Sequence, residues 1–431
     1  MHPIDRYACA EYNAISRRGF LSVGAGAAVL ASIPAWLPRV SLARDHRSAQ
    51  RDIIISIYLR GAADGLSIVP PHAEQVYHDL RPTVALPRPG SGLPNSAIDL
   101  DGFFGLAPAM APLLPAYNES RLLFVHACGS KNPSRSHFEA QQFMEVGKPG
   151  DTSITTGWLG RHLASIDPVR AGALLRAVGM GFGLPQTLVG GPGALPVSDL
   201  DNYGLLGNPS SAASRRATIE AMYASAGTPL DHVASTALAT IDLLDAIDFA
   251  GYAPAGGAAY PSTPFGMSLR SSAALMKANI GVEAISIDVT GWDTHNSQGT
   301  ASGVLAGLMN DLARGLAALD ADMTSGNAPS FTVVAMSEFG RRVMENGSGG
   351  TDHGHGAVMM VLGPCVNGGQ VMTQWPGLAR EQLYQERDLE VTIDFRDILA
   401  EIVQSRLGNP NLPFVFPGFV PTPRGVFIPS C

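Results

Sequence analysis

Five short runs of β-branched and apolar residues, separated by stretches of helical period, constrain this chain more than any other feature. Residues 53–59 read IIISIYL, 121–127 RLLFVHA, 283–289 EAISIDV, 331–336 FTVVAM and 357–362 AVMMVL. Runs of strand length with little polar alternation fit strands buried on both faces. Helical spacing fills the intervals at 136–146, 212–226, 231–249, 267–278, 303–323 and 395–407. Strands alternating with helices predict an α/β fold: a mainly parallel central sheet covered by helices on both faces. The Gly-, Ala- and Pro-rich stretch at 253–264 reads as a loop. Residues 195–250 read as a mostly helical insertion or cap. No internal repeat and no long linker divides the chain, so one domain is expected over 44–431.

The first 43 residues read as an export signal. Ser16-Arg17-Arg18-Gly19-Phe20-Leu21 is a twin-arginine signature, an uncharged apolar stretch runs on to Leu37, and Ser41-Leu42-Ala43 supplies small residues for cleavage. A charged region, an apolar region and a cleavage site in that order form a signal peptide. The paired arginines address it to the twin-arginine translocase, which exports folded proteins. The mature chain is thus expected in the periplasm or outside the cell, with no membrane span. The formal net charge is -8 and the mature part has no Lys/Arg-rich run, which argues against nucleic acid or an anionic membrane as the main partner. Of 4 cysteines, Cys9 leaves with the signal, and Cys128, Cys365 and Cys431 lack metal-binding spacing. A Cys128–Cys365 bridge and a buried thiol both remain open.

Polar residues gather just past the strand-like runs. The first leads into Arg60-Gly61-Ala62-Ala63-Asp64, the second towards Ser134-Arg135-Ser136-His137, and the third into Gly291-Trp292-Asp293-Thr294-His295. The fourth ends in Ser337-Glu338-Phe339-Gly340-Arg341-Arg342, and Asp352-His353-Gly354-His355-Gly356 precedes the fifth. Open parallel sheets bind ligands outside the carboxyl ends of their strands. The loop leaving the fourth strand can lie over that same edge. Carboxylates and imidazoles without nearby thiols suit zinc, manganese, iron or magnesium. Asp293 and His295, two apart, can face one ion. The glycines around His353 and His355 let close neighbours converge. Asp64 alone reads as a turn or cap residue, His126 as a satisfied core histidine, and Glu338 as a partner for Arg341 or Arg342. Ser136 opens a helix, where negative charge is favoured, and Arg135 beside it suits an anionic oxyester. An N-cap with Glu139 completing a capping box explains Ser136 equally well. His137 reads as a ligand, an acid/base or an orienting group.

These segments resemble a bacterial family of twin-arginine-exported proteins catalogued as domain of unknown function 1501. LRGAADGLSIVPP (59–71), LRPT (80–83), LDGFFGLAPAMAPLLPAY (100–117) and FVHACGS (124–130) carry the likeness, with SRSHFEAQ (134–141), TGWLGRHL (156–163), GWDTH (291–295), SEFGRRVMENGSGGTDHGHG (337–356) and VFPGF (415–419). The family is similar, distantly, to the alkaline phosphatase and sulfatase superfamily. That resemblance implies a three-layer α/β/α sandwich and one or two divalent metal ions. It matches Asp64 to the first-strand aspartate, Asp293 and His295 to a ligand pair, and His353 or His355 to the last histidine. Glu338 falls where an Asp-His pair usually ends a strand, but Phe339 follows it. Lys131 occupies the place of the sulfatase nucleophile, ahead of Asn132-Pro133-Ser134-Arg135.

Taken together, these readings predict an exported metal-dependent hydrolase of a phosphate or sulfate ester. Asp64, Asp293, His295, Glu338, Asp352, His353 and His355 are the expected metal ligands, and Arg135, Ser136 and His137 the expected catalytic groups. The rival reading is a secreted metal-binding protein that performs no reaction.

Overall fold

The computed structural model describes residues 51–205, 207–224, 229–429 and 431. The twin-arginine segment and the cleavage site lie outside the described residues. The chain is mixed α/β, built on a nine-stranded sheet in the order β10-β4-β9-β8-β1-β7-β5-β6, with β11 also paired to β4. The strands are β1 (Ile53–Leu59), β4 (Leu122–Gly129), β5 (Ala177–Met180), β6 (Ala194–Val197), β7 (Ala284–Val289), β8 (Phe331–Met336), β9 (Ala357–Leu362), β10 (Gln370–Met372) and β11 (Ile393–Asp394); β2 (Ile98–Asp99) and β3 (Gly105–Leu106) form a separate hairpin. Every residue of β1, β4, β8 and β9 is buried. That burial is why these strands read as unbroken apolar runs.

The sheet is parallel except for β9, which runs antiparallel to both β4 and β8. The reversal has a simple consequence. The segment between β8 and β9 leaves and returns at one edge, so 337–356 lies wholly at the carboxyl edge. The strands β5 and β6 occupy positions that carry no strand expectation, and β6 falls inside the region expected to be helical. Both are four residues long and include Gly179 or Pro196, which weakens the periodic signal.

Helices α1 (Gly65–Ile68), α2 (His137–Val146), α3 (Trp158–Ala164), α4 (Ala212–Tyr223), α5 (Pro229–Asp245), α6 (Pro264–Lys277), α7 (Val304–Met323) and α8 (Phe395–Glu401) are accompanied by short helices at Gln75–Leu80, Leu114–Asn118 and Leu412–Val415. The longest, α7, buries Leu305, Met309, Leu312, Leu316, Leu319 and Met323, spaced at three and four residues along one face. A π-helical turn, Ile402–Arg406, continues α8 to the end of the expected helix. Residues 202–246, which carry α4 and α5, form one compact unit, and 51–201 with 247–431 form another. Asp64, Arg135, Ser136, His137, Asp293, His295 and residues 337–356 all belong to the second. No helix among the described residues is long and apolar enough to cross a membrane.

The disulfide joins Cys365 to Cys431 across 66 residues, and Cys128 is a buried free thiol. The open Cys128–Cys365 pairing is therefore replaced. The C-terminal tail reaches Cys365 because Asn367 N–H donates to Val426 C=O at 2.8 Å and Ile428 N–H to Cys365 C=O at 3.1 Å.

His126 is, as expected, a satisfied core histidine. Its Nε2 meets Val69 C=O at 3.0 Å and its Nδ1 accepts from Ala127 N–H at 2.8 Å. Only the neutral ring satisfies both contacts. Burial pushes its pKa from the usual 6.5 down to about 4. The unfolded chain binds a proton near pH 6.5 that the folded ring refuses until about pH 4, so stability should hold above pH 6.5 and fall between those limits. The loss from this group is about 3 kcal/mol at most. Urea melts of wild type and His126→Gln across this range check it. The variant should show the shallower fall, and identical profiles would remove His126 as a cause.

Candidate metal centre

The site assembles where β1, β7 and β8 end and where the 337–356 segment folds back. That segment packs as a backbone ribbon: Gly340 N–H donates to His355 C=O at 2.9 Å, Gly354 N–H to Gly340 C=O at 2.8 Å, and Arg342 N–H to Asp352 C=O at 2.9 Å. A Cβ on Gly340 would lie 1.8 Å from Gly356 O, and one on Gly354 2.3 Å from the Arg341 carbonyl carbon. These glycines serve close backbone approach, which sets His353 over the sheet edge.

Three imidazoles converge on Asp293. His295 Nε2 lies 3.1 Å and His353 Nε2 3.2 Å from Asp293 Oδ1, and His137 Nε2 lies 3.6 Å from Asp293 Oδ2. The two ring nitrogens of His295 and His353 face each other at 3.0 Å. Donor atoms of His137, Asp293 and His353 all fall within 4.8 Å of one another, a candidate metal-binding cluster. The site opens outward: the His137 side chain is 2% exposed, His353 15% and His295 26%.

On the far side of each ring stands an oxygen. His137 Nδ1 meets Glu338 Oε1 at 2.6 Å, His353 Nδ1 meets Arg135 C=O at 3.0 Å, and His295 Nδ1 meets Asp352 Oδ1 at 3.2 Å. A carbonyl only accepts, so His353 Nδ1 carries a proton; facing carboxylates favour the same tautomer in the other two rings. The Nε2 atoms are thereby turned towards Asp293. Burial would raise the Asp293 carboxyl, but hydrogen bonds from the three imidazoles and the Arg341 charge hold it far below the usual carboxylate range. Burial would lower His137, but its bonds to Asp293 and Glu338 and their charges carry it up to about 9. Burial pushes His353 down.

The remaining sequence candidates take other positions. Glu338 Oε1 accepts from Gly61 N–H at 2.9 Å and Gln141 Nε2 at 3.0 Å besides contacting His137, and Oε2 accepts from Ser337 Oγ at 2.9 Å. It orients His137. Asp352 orients His295 and accepts from Asn346 Nδ2 at 3.0 Å. Asp64 is absent from the cluster: its buried carboxylate accepts from Arg81 at 2.6 and 3.1 Å, Ser67 Oγ at 2.6 Å and Gln298 Nε2 at 2.8 Å. The His355 ring stacks on Tyr384 with centroids 4.1 Å apart, and burial lowers its pKa to about 4. Ser136 is the N-cap of α2, with no side-chain cap bond; Ser134 Oγ, rather than Ser136, reaches Glu139, at 2.7 Å. The Arg135 guanidinium is committed to Asp388 at 2.9 Å and Gln385 at 2.9 Å.

Arg341 and Arg342 bind Asp293 and Asp352 instead of the expected Glu338. The importance of Arg341 is invisible in sequence, where it is one of two adjacent arginines. Gln141, one turn beyond His137 on α2, is likewise missed, although its spacing on the helix places both on one face. Behind them, Arg60 bonds Gln141 Oε1 at 3.1 Å and Glu145 at 3.0 and 3.2 Å, bracing that face of α2.

The Asp64–Arg81 pair gives a direct test of Asp64's role. Asp64→Ala leaves a buried guanidinium uncompensated, which costs about 3–5 kcal/mol. Metal content per folded chain should stay unchanged. Denaturant melts with elemental analysis check both, and metal loss in folded Asp64→Ala would return Asp64 to the ligand set.

No curated protein and no solved structure matches this chain. Residues 210–408, just under half the chain and including Asp293, His295, Glu338 and the 352–356 segment, match the family model described as "Protein of unknown function (DUF1501)", which supports the family resemblance read from the sequence.

Proposed function

We propose that this chain is an exported metal-dependent hydrolase acting on a phosphate or sulfate ester. The observation that carries the reading is the set of imidazoles whose Nδ1 atoms face oxygens while their Nε2 atoms crowd Asp293. Two lone-pair nitrogens facing at 3.0 Å repel unless a proton or a cation lies between them. Imidazole and carboxylate donors of this kind suit zinc, manganese or iron. His137, Asp293 and His353 would hold the ion, and Glu338 and the Arg135 carbonyl fix the rings. A bound divalent ion supplies Lewis acidity to an ester oxygen and acidifies a bound water. Ser136 sits one residue from His137 and from the Arg135 carbonyl, at the N-terminus of α2, where a developing negative charge is favoured. The nine-stranded sheet and its carboxyl-edge site support an alkaline-phosphatase-like three-layer arrangement. Export to the periplasm or beyond by the twin-arginine translocase rests on the signature at residues 16–21.

One observation favours the rival reading. Arg135, the residue expected to hold the anion, is spent on Asp388 and Gln385. A metal-binding protein with no reaction would tolerate that commitment.

Metal-loaded protein should hydrolyse aryl phosphates or sulfates, and His353→Ala should abolish the metal-stimulated rate. Glu338→Gln, which keeps the ring but weakens its orienting partner, should lose about 10–100-fold in metal affinity or turnover. Ester screening with elemental analysis decides: stoichiometric metal with no turnover on any ester supports the rival reading. Export is checked separately. The double substitution R17K/R18K should leave the precursor in the cytoplasm on fractionation, while secretion at the wild-type level would remove the twin-arginine route.

A further inference from the structure

We infer that the centre takes one divalent ion rather than two, with His295 as its fourth donor and the Arg341 guanidinium occupying the place a second cation would need. This rests on the metal-site reading above. The first support is spacing. Asp293 Oδ1, His295 Nε2 and His353 Nε2 form a nearly equilateral triangle with edges of 3.0, 3.1 and 3.2 Å. Bonds of about 2.0 Å in a tetrahedral site separate donors by about 3.3 Å. His295 thus stands at ligand spacing from two members of the cluster, and Asp352 on its other nitrogen holds the ring there.

The second support is the fate of every other donor that could serve a second ion. Asp64 is closed by Arg81, Ser67 and Gln298. Glu338 accepts from four groups. Asp352 is shared by His295, Asn346 and Arg342. His355 lies against Tyr384. Among the described residues, that leaves no independent donor set beside the cluster.

The third support is Arg341. A second ion beside the first would have to share Asp293, yet Oδ1 already carries Arg341 Nη2 at 2.5 Å and Oδ2 faces His137 Nε2 at 3.6 Å. The same guanidinium donates to the carbonyls of Ala62, Gly61, Trp292 and Thr351 at 2.7, 2.6, 3.1 and 2.8 Å. A fully buried cation bound to five oxygens does not leave. It gives the site a permanent second positive charge where a two-metal centre would use an ion.

The test is a count. Full-length mature protein is loaded with Zn²⁺ or Mn²⁺, desalted, and its metal per chain measured by native mass spectrometry and elemental analysis, alongside His295→Gln and His353→Gln. One ion per chain, with affinity at least tenfold weaker in each folded variant, is expected. Two ions, no ion, or wild-type affinity in His295→Gln would overturn the inference. Circular dichroism confirms that the half-buried His295 variant is folded. Ester turnover is scored independently: one ion without hydrolysis leaves this inference standing and defeats the hydrolase, and two ions with hydrolysis does the reverse.

Discussion

The site depends on a buried arginine. Arg341 holds four carbonyls and a carboxylate: Nε donates to Ala62, Nη1 to Thr351, and Nη2 is shared among Gly61, Trp292 and the Asp293 carboxylate. Those carbonyls belong to the ends of β1 and β7 and to the segment returning to β9. One planar cation therefore ties three loops of the sheet edge at fixed separations. A lysine could supply the charge but not the forked set of donors. The arrangement also settles the desolvation problem that Asp293 poses. A carboxylate buried beside three rings is costly without a counter-charge, and Arg341 provides one that does not depend on solution conditions.

The reversal of β9 is the second constraint. In an all-parallel sheet the chain after β8 would have to cross to the far edge before starting another strand. Here it turns back at once, so Glu338 and His353 come from the two arms of one return. Glu338 presses on His137 from behind while His353 approaches Asp293 from the other side. The two arms touch backbone to backbone at Gly340 and Gly354, where any side chain would collide. Sequence spacing between glycine and histidine thus encodes a distance between chains more than a bend within one.

Much of this was legible beforehand, and the reason differs by feature. The strands β1, β7, β8 and β9 stand out because central strands covered on both faces need continuous apolar runs. The strands β5, β6 and β10 are four residues or fewer and use Ala, Gly, Pro or Gln, and β11 is only two residues, so they leave no period to read. The clustering of polar residues at strand ends was visible because the chemistry concentrates there. Their division of labour was not. Whether a carboxylate faces a ring, an arginine or an ion depends on partners far away in sequence: Asp64 on Arg81 and Gln298, Arg135 on Asp388, Glu338 on His137. The Cys365–Cys431 pairing is hidden for the same reason, since spacing does not reveal which thiol the terminal residue reaches.

Hydrogen-bond patterns separate the histidines that hold the fold from those that form the site. His126 has both nitrogens occupied by its own main chain, one donating and one accepting, so its neutral ring is complete. Buried His162 also sits in the fold's interior: its Nδ1 accepts from Asn409 Nδ2 at 3.1 Å, and burial lowers its pKa to about 3. His137, His295 and His353 are held differently. Each ring is anchored at Nδ1 by an oxygen, and the opposite nitrogen is directed at a carboxylate and at neighbouring rings. Three such rings aimed at one carboxylate form a polar cluster that a hydrophobic core has no reason to create.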